Sequence, residues 1–278
     1  MAQLQIEGKT ALLTGATGGL GRAIAAELAG AGATLILSSR KGPELEGLAA
    51  ELPGSGHRTI VADLADPAAV GPLLEAAGDV DILIANAGIG GGSALEHNDA
   101  EMISTINRVN LEVPMLLAAG LRKQMLERGS GHMVFISSLA AKAIPGGTAI
   151  YAGTKAGLRA FSLGLRADIG SRGVGVSVVM PGFVREAGMF HDSGAKAPAA
   201  VGTTTPRDVA AGVSSAITGD RAEVDVAPLQ QKAFVNFSFH FHGLGKALER
   251  RMAGGSNLGE RLERSRAEQA SSESGEGK

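Results

Sequence analysis

The chain has 278 residues, of which 44% are hydrophobic but only 3% aromatic, so one large α/β domain or two small ones would have an aliphatic core. The formal net charge of −2 excludes the strong positive field that attracts nucleic acid or an anionic membrane. The absence of cysteine excludes disulfides, thiolate metal sites and a cysteine nucleophile.

The first residues, "MAQLQIEGKT", lack the basic start and apolar run of a signal peptide. No apolar run approaches the ~18 residues that a membrane-spanning helix needs. Zero cysteines fit a reducing compartment. We therefore expect a soluble, cytoplasmic protein.

Short apolar runs alternate with longer amphipathic ones over the first 180 residues. Strands that are apolar throughout are typical of a parallel sheet covered by helices on both faces, and strand–helix alternation indicates the same architecture. The predicted strands cover residues 10–15, 33–40, 58–64, 79–88, 131–138 and 174–182. The predicted helices lie near 19–32, 43–51, 67–77, 99–128 and 149–171.

Composition changes divide the rest of the chain. We expect one domain over 1–227 that includes a long binding loop at 185–205, because structureless loops of that length are often lids. Residues 228–267 form a phenylalanine-rich extension, expected to pack on the domain or on a partner subunit. The tail at 268–278 is polar and predicted to be disordered.

The stretch "TGATGGLG" (14–21) lies where the first strand ends and a helix begins. Gly15, Gly19 and Gly21 permit a tight turn and a close approach of the backbone to a pyrophosphate, and the helix N-terminus adds free N–H groups. The sequence therefore predicts a dinucleotide site. A plain strand-to-helix turn is the alternative.

The end of the second strand indicates which dinucleotide binds. An acidic residue there would take the ribose 2′-hydroxyl of NAD, but this strand ends with Ser39 and Arg40. A guanidinium pairs well with a 2′-phosphate. We predict NADP as the cofactor; NAD, with Arg40 an ordinary surface arginine, stays the alternative.

Tyr151 is the only tyrosine, and Lys155 follows it at the i, i+4 spacing that places two side chains on one helix face. A phenol with an ordinary pKa near 10 is a poor base, but a nearby ammonium favours the phenolate. Such a tyrosine exchanges a proton with a carbonyl or alcohol oxygen. The alternative is a half-buried tyrosine beside a solvated lysine.

These motifs, together with "ANAG" (85–88), "VNL" (109–111), "ISS" (136–138) and "PG" (181–182), occur in an order that resembles the single-domain branch of the short-chain dehydrogenase/reductase family. The resemblance covers about residues 6–227. It implies a three-layer Rossmann fold with a doubly wound, mostly parallel sheet in the order 3-2-1-4-5-6, with room for a seventh strand. It also implies an oxidoreductase that moves hydride between a nicotinamide and a carbonyl or secondary alcohol.

The resemblance implies four catalytic residues. Tyr151 would be the acid/base, and Lys155 would lower its pKa and bind the nicotinamide ribose. Ser138, rather than its neighbour Ser137, would hold the substrate oxygen. Asn110 would hold a water on a proton relay.

The cofactor-binding positions implied by the resemblance are spread over the ends of several strands. Besides Tyr151 and Lys155 they are Gly15, Thr17, Gly18, Gly19, Leu20, Gly21, Ser39, Arg40, Asp63, Leu64, Asn86, Ala87, Gly88, Pro181, Gly182 and Val184. Considered alone, three of these residues also have a purely structural alternative. Asn110 would cap a helix kink, Ser138 would end a strand and Asp63 would begin a turn.

Three positions depart from the family pattern. Ala85 replaces an asparagine, which is a mild loss. Glu186 stands where a threonine or serine commonly contacts the nicotinamide carboxamide. The usual C-terminal strand and its Asp-Gly-Gly ending are expected to be missing. The six histidines show no metal spacing, and no metal is expected.

Three further expectations concern partners and alternatives. The resemblance implies a homodimer or homotetramer through the helices at 99–128 and 149–171. The aromatic extension favours a bulky, lipophilic substrate, because aromatic side chains bury a large apolar area. An alternative is that the extension anchors the protein at a membrane surface. A cofactor-binding regulator or scaffold without turnover is the alternative to an enzyme.

Overall fold

The computed structural model describes residues 4–90, 95, 98–144, 146–186, 202–241 and 243–245. Residues 187–201 of the predicted binding loop at 185–205, and residues 242 and 246–267 of the extension at 228–267, lie outside the described residues. The predicted disordered tail at 268–278 lies wholly outside them.

Seven strands and eight α-helices make up the described fold. The strands are β1 (Thr10–Thr14), β2 (Thr34–Ser39), β3 (Arg58–Val61), β4 (Ile82–Ala85), β5 (Gly131–Ile136), β6 (Val174–Pro181) and β7 (Glu223–Val226). The helices are α1 (Gly19–Gly30), α2 (Gly42–Glu51), α3 (Val70–Ala77), α4 (Ala100–Asn107), α5 (Val113–Arg128), α6 (Ala149–Ile169), α7 (Pro206–Thr218) and α8 (Leu229–His240).

All seven strands are parallel and form one sheet in the order β3-β2-β1-β4-β5-β6-β7. The order reverses between β1 and β4, and this reversal opens a crevice at the carboxyl ends of the strands, where ligands bind in such sheets. The predicted doubly wound α/β fold is confirmed.

The sheet separates two apolar layers. Alternate strand residues point to opposite faces, so Leu13 and Leu35 pack with α1, α2 and α7, whereas Leu12 and Ile36 pack with α3, α5 and α6. All four are fully buried. Burial on both faces explains why these strands are apolar throughout their length.

The expectation that the C-terminal strand is missing is wrong, because β7 pairs in parallel with β6. Two acidic side chains of β7 lie on the opposite face from its valines, so its sequence lacks the continuous apolar run that marks the other strands. Arg159 binds the Glu223 carboxylate, and Lys142 Nζ donates to Asp225 Oδ1 at 2.9 Å. These cations come from residues far away in the sequence, and they compensate the acidic charges of an edge strand.

The single helix expected over 99–128 is interrupted. A π-helical turn at Arg108–Glu112 separates α4 from α5, and Asn110 lies in its middle. Such turns insert one extra residue into a helix and are frequent at functional sites. Here the turn directs the buried Asn110 side chain toward the carboxyl edge of the sheet.

Candidate active site

The glycine-rich turn follows β1 and enters α1. Gly15 adopts a left-handed conformation with φ of 65°, which favours glycine, and a Cβ on Gly21 would overlap the Gly15 carbonyl oxygen. Gly18 precedes α1 without a side-chain cap, and no acidic residue lies in the first turn. The N–H groups of this end of the helix are therefore available to an anion such as a phosphate.

Asn86 joins the end of β4 to this turn. Its Nδ2 donates to the carbonyl oxygens of Thr14 at 3.0 Å and Gly15 at 3.2 Å. In return, Thr14 Oγ1 accepts the N–H groups of Asn86 and Ala87, each at 3.1 Å. The buried Thr14 hydroxyl thus orders two predicted cofactor segments at once, a role that sequence reasoning missed although Thr14 opens the glycine motif.

The predicted adenosine end of the site lies at the ends of β2 and β3. Arg40 is exposed and makes no ion pair with any other described residue, whereas the neighbouring Lys41 pairs with Glu44 at 2.9 Å. Ser39 Oγ accepts the N–H of Lys41 at 3.1 Å. Arg40 is consequently available to an incoming ligand.

Two further residues complete this end of the site. Asp63 is exposed and accepts the N–H of Ala65 at 3.0 Å, so it does begin a turn. Leu64, at the predicted adenine position, is buried and packs in the same apolar layer as α3.

Ser138 and Tyr151 meet at the carboxyl end of β5. The Ser138 hydroxyl is close enough to the phenol to act on its pKa through hydrogen bonding. Ser137 has a different task, since its buried hydroxyl donates to the carbonyl oxygen of Lys155 at 2.8 Å and ties β5 to α6. The structure therefore brings Ser138, and not Ser137, to the phenol.

Lys155 lies on the same face of α6 as Tyr151, with Nζ 5.8 Å from the centroid of the tyrosine ring. The side chain is buried and Nζ donates to the carbonyl oxygen of Ile136 at 2.9 Å, so the alternative of a solvated lysine is wrong. Burial disfavours the ammonium and lowers the pKa of Lys155 to about 8.

Burial acts in the opposite direction on the phenol. It raises the pKa of Tyr151, and the hydrogen bond from Ser138 opposes this rise in part. In the protein alone, Tyr151 is therefore a protonated phenol, which is the form that donates a proton to a carbonyl oxygen.

Asn110 links the loop after β4 to α6. Its Oδ1 accepts the N–H of Ile89 at 2.8 Å, while Nδ2 donates to the Ile89 carbonyl at 2.9 Å and to Thr154 Oγ1 at 3.2 Å. A Cβ on Gly88 would lie 3.3 Å from Asn110 Oδ1 and 3.4 Å from Lys155 Nζ. Asn110, Gly88 and Lys155 thus converge, and Thr154 is a second supporting residue that sequence reasoning missed.

The predicted nicotinamide end follows β6. Pro181 and Val184 are buried, and Val184 forms a β-bridge with Thr204. Glu186 has a φ of 74° and points outward, where its carboxylate binds Arg185 Nε at 3.0 Å. The Glu186 side chain is therefore exposed and engaged by its neighbour Arg185.

In the ranges that the structure covers, no group of three or more histidine, aspartate or glutamate side chains is placed to hold a metal ion. Within the same ranges, every helix is too short or too polar to cross a membrane.

Comparison with known proteins identifies the family. The sequence profile of the family described as short chain dehydrogenase matches residues 9–198. The ketoacyl reductase HetN of Nostoc sp. is 36% identical over 227 residues, which cover 80% of this chain and 79% of the relative.

Two solved structures share the fold and were determined with nicotinamide cofactors. One is a short-chain dehydrogenase from Sphingobium yanoikuyae in complex with NADPH (TM-score 0.74, 26% identity, 88% of this chain and 95% of that chain). The other is a 3-ketoacyl-(acyl-carrier-protein) reductase from Brucella melitensis complexed with NADH (TM-score 0.73, 26% identity, covering 81% of this chain and 99% of that chain). The chain belongs to the short chain dehydrogenase family and is an NAD(P)-dependent oxidoreductase that acts on CH–OH or C=O groups.

Proposed function

We propose that the protein is an NADP-preferring carbonyl reductase or alcohol dehydrogenase in which Tyr151 is the acid/base. The observation that carries this proposal is that the Ser138 and Tyr151 hydroxyls lie next to each other beside a buried lysine. This pair offers two oxygen-bound protons to one substrate oxygen, at the sheet edge where the glycine-rich turn also lies.

The residues present fit a dinucleotide on structural grounds. Gly15 and Gly21 let the turn pack closely, because a Cβ on Gly21 would overlap the Gly15 carbonyl oxygen and a Cβ on Gly15 would crowd the backbone of Ala87; the start of α1, which has no side-chain cap, suits a pyrophosphate. When bound, the nicotinamide supplies or takes up the hydride. Lys155 would hold the ribose hydroxyls with the ammonium protons that it does not share with Ile136.

The residues of the chain have separate tasks in reduction. Ser138 donates a hydrogen bond that orients the substrate carbonyl, and Tyr151 donates its phenolic proton to the same oxygen as negative charge develops there. Lys155 stabilises the phenolate that remains. Asn110, whose amide bonds Ile89 and Thr154, positions the relay that restores the proton.

The preference for NADP rests on Arg40. Its exposed guanidinium lies directly after the end of β2 and makes no ion pair with the described residues. A bidentate guanidinium–phosphate contact would favour a 2′-phosphate over a 2′-hydroxyl.

The proposed substrate is a bulky, lipophilic ketone or the corresponding secondary alcohol. Phe237, Phe239 and Phe241 on and after α8 are 40%, 49% and 56% exposed, and they give this side of the domain an aromatic surface. The similarity to a ketoacyl reductase supports a carbonyl on an acyl chain. Higher kcat/KM values for small polar carbonyls than for 3-ketoacyl thioesters of increasing length would contradict this choice.

We also infer a homodimer or homotetramer through α4, α5 and α6. Met102 on α4 and Leu116 on α5 are 47% and 42% exposed, which supports an interface on this side of the sheet. Light scattering of the purified protein tests the inference, and a monomer at all concentrations would refute it.

Substitution of Tyr151 by phenylalanine tests the catalytic assignment. Tyr151→Phe removes the proton and leaves the ring, so NADPH should bind with unchanged Kd while kcat falls by at least about 100-fold. Retention of full turnover would refute the role of Tyr151, whereas failure of the wild type to bind NADPH would refute the proposed cofactor.

A further inference from the structure

The helix α8 lies over the carboxyl end of β6. Its buried residues are Gln231, Val235 and Ser238, which recur at the spacing of one helix face. Val235 packs in an apolar cluster with Leu139, which follows Ser138, and with Met180, which precedes Pro181. The helix therefore borders both the reacting hydroxyls and the predicted nicotinamide end.

The Gln231 side chain is buried, and its amide oxygen lacks a hydrogen-bond partner among the described residues. The residue is only 5% exposed, and its Oε1 is fully buried and accepts no hydrogen bond there. The amide packs directly on Gly182, because a Cβ added to Gly182 would overlap Gln231 Oε1. Buried amides are normally hydrogen-bonded, so an unpaired amide oxygen beside a binding crevice indicates a missing ligand group.

Among the described residues that directly follow β6, 182–186, the other side chains are less suited to this purpose. Phe183 and Val184 are apolar, and Arg185 and Glu186 are exposed and paired with each other. A primary amide has both an acceptor oxygen and donor hydrogens, and a half-turn of its terminal group exchanges the two. Gln231 is thus suited to a ligand that carries both functions on one group, as a carboxamide does.

We propose that Gln231 binds the carboxamide of the nicotinamide ring and thereby sets the position of the ring relative to Tyr151. This inference rests on the proposed function. It assigns to α8, which begins after the last strand, the polar contact that the outward-turned Glu186 does not make. Gln231 is a positioning residue for the ring, and it takes no part in proton transfer.

The test compares two ligands that differ in the nicotinamide alone. Calorimetric Kd values are measured for NADP⁺ and for 2′-phospho-ADP-ribose with the wild type, Gln231→Met and Gln230→Met. Gln230 is the exposed neighbour on the same helix and provides the matched control. We expect Gln231→Met to weaken NADP⁺ by about tenfold, the loss of about one hydrogen bond pair, and to leave 2′-phospho-ADP-ribose and the control unchanged.

Thermal unfolding of the ligand-free protein separates positioning from a structural role. Because methionine removes a buried amide whose oxygen is unpaired, at similar volume, Gln231→Met should raise Tm by a few degrees, about 3 °C. A lower Tm, an unchanged Kd for NADP⁺, or an equal loss for both ligands would overturn the inference. So would a higher KM for the ketone with an unchanged Kd for NADP⁺, which would instead assign Gln231 to the substrate. Binding of 2′-phospho-ADP-ribose but not of NADP⁺ by the wild type would refute the inference about Gln231. Binding of neither ligand would refute the proposed cofactor, and the inference with it.

Discussion

Replacement of Lys155 by methionine should make the cofactor-free protein more stable while it removes activity. Lys155 is 2% exposed, and burial lowers its pKa from 10.5 to about 8. The difference of about 2.5 pH units, at about 1.4 kcal/mol each, makes the buried charge cost about 3 kcal/mol at pH 7. Methionine fills similar space without charge, but the Ile136 carbonyl loses its donor, which costs about 1 kcal/mol. The expected net gain is about 2 kcal/mol.

The pH dependence distinguishes this cause from general repacking. A pKa that is depressed in the folded state means that the unfolded chain binds more protons between about pH 8 and pH 10.5, so the stability contributed by Lys155 rises with pH in that window. Urea unfolding at pH 7 and pH 9.5 should therefore show the advantage of Lys155→Met over the wild type shrinking by about 2 kcal/mol.

The control is Lys123→Met, because the Lys123 side chain is 84% exposed. That variant should differ from the wild type by no more than about 0.5 kcal/mol at either pH. If Lys155→Met is less stable than the wild type at pH 7, and the difference does not change with pH, then Lys155 is not a buried cation held at an energetic cost.

Three other substitutions test the remaining parts of the site. Ser138→Ala should lower kcat by about 100-fold with little change in the Kd of NADPH, because it removes a donor to the substrate oxygen; an equal loss of cofactor binding would contradict this. Arg40→Asp should reverse the preference between NADPH and NADH in kcat/KM, since a carboxylate repels the 2′-phosphate and accepts from a 2′-hydroxyl; an unchanged ratio refutes the NADP assignment. Gly21→Ala should weaken both cofactors, because its Cβ would overlap the Gly15 carbonyl oxygen and displace the phosphate turn, and undiminished affinity would show that this turn does not hold the phosphates.

The sequence predicted the fold and the motif residues because their signals are local. Apolar runs mark the parallel strands, and in a parallel sheet the residue after each strand falls at one edge. This geometry therefore places residues that are far apart in the chain at the same edge of the sheet, namely the end of β1, the end of β4 and Ser138. The spacing of Tyr151 and Lys155 needs only the geometry of one helix.

The features that the sequence did not reveal depend on distant partners. β7 contains two acidic residues, and only the fold shows that Arg159 and Lys142 pair with them. The π-helical turn at Asn110 has no marker of its own beyond the proline that follows. Gln231 belongs to a segment outside the family motifs, and its position on Gly182 is a result of how α8 packs.

Transfer of deuterium from C4-deuterated NADPH to a 3-ketoacyl thioester tests the central claim most directly, because it separates an oxidoreductase from a cofactor-binding scaffold. With the C4 isotopomer of the correct face, the wild type should give an alcohol with one deuterium on the former carbonyl carbon, detected by mass spectrometry, and Tyr151→Phe should give almost none at equal NADPH occupancy. Bound NADPH with no labelled alcohol from the wild type, across the thioester series and both C4 isotopomers, would contradict the account.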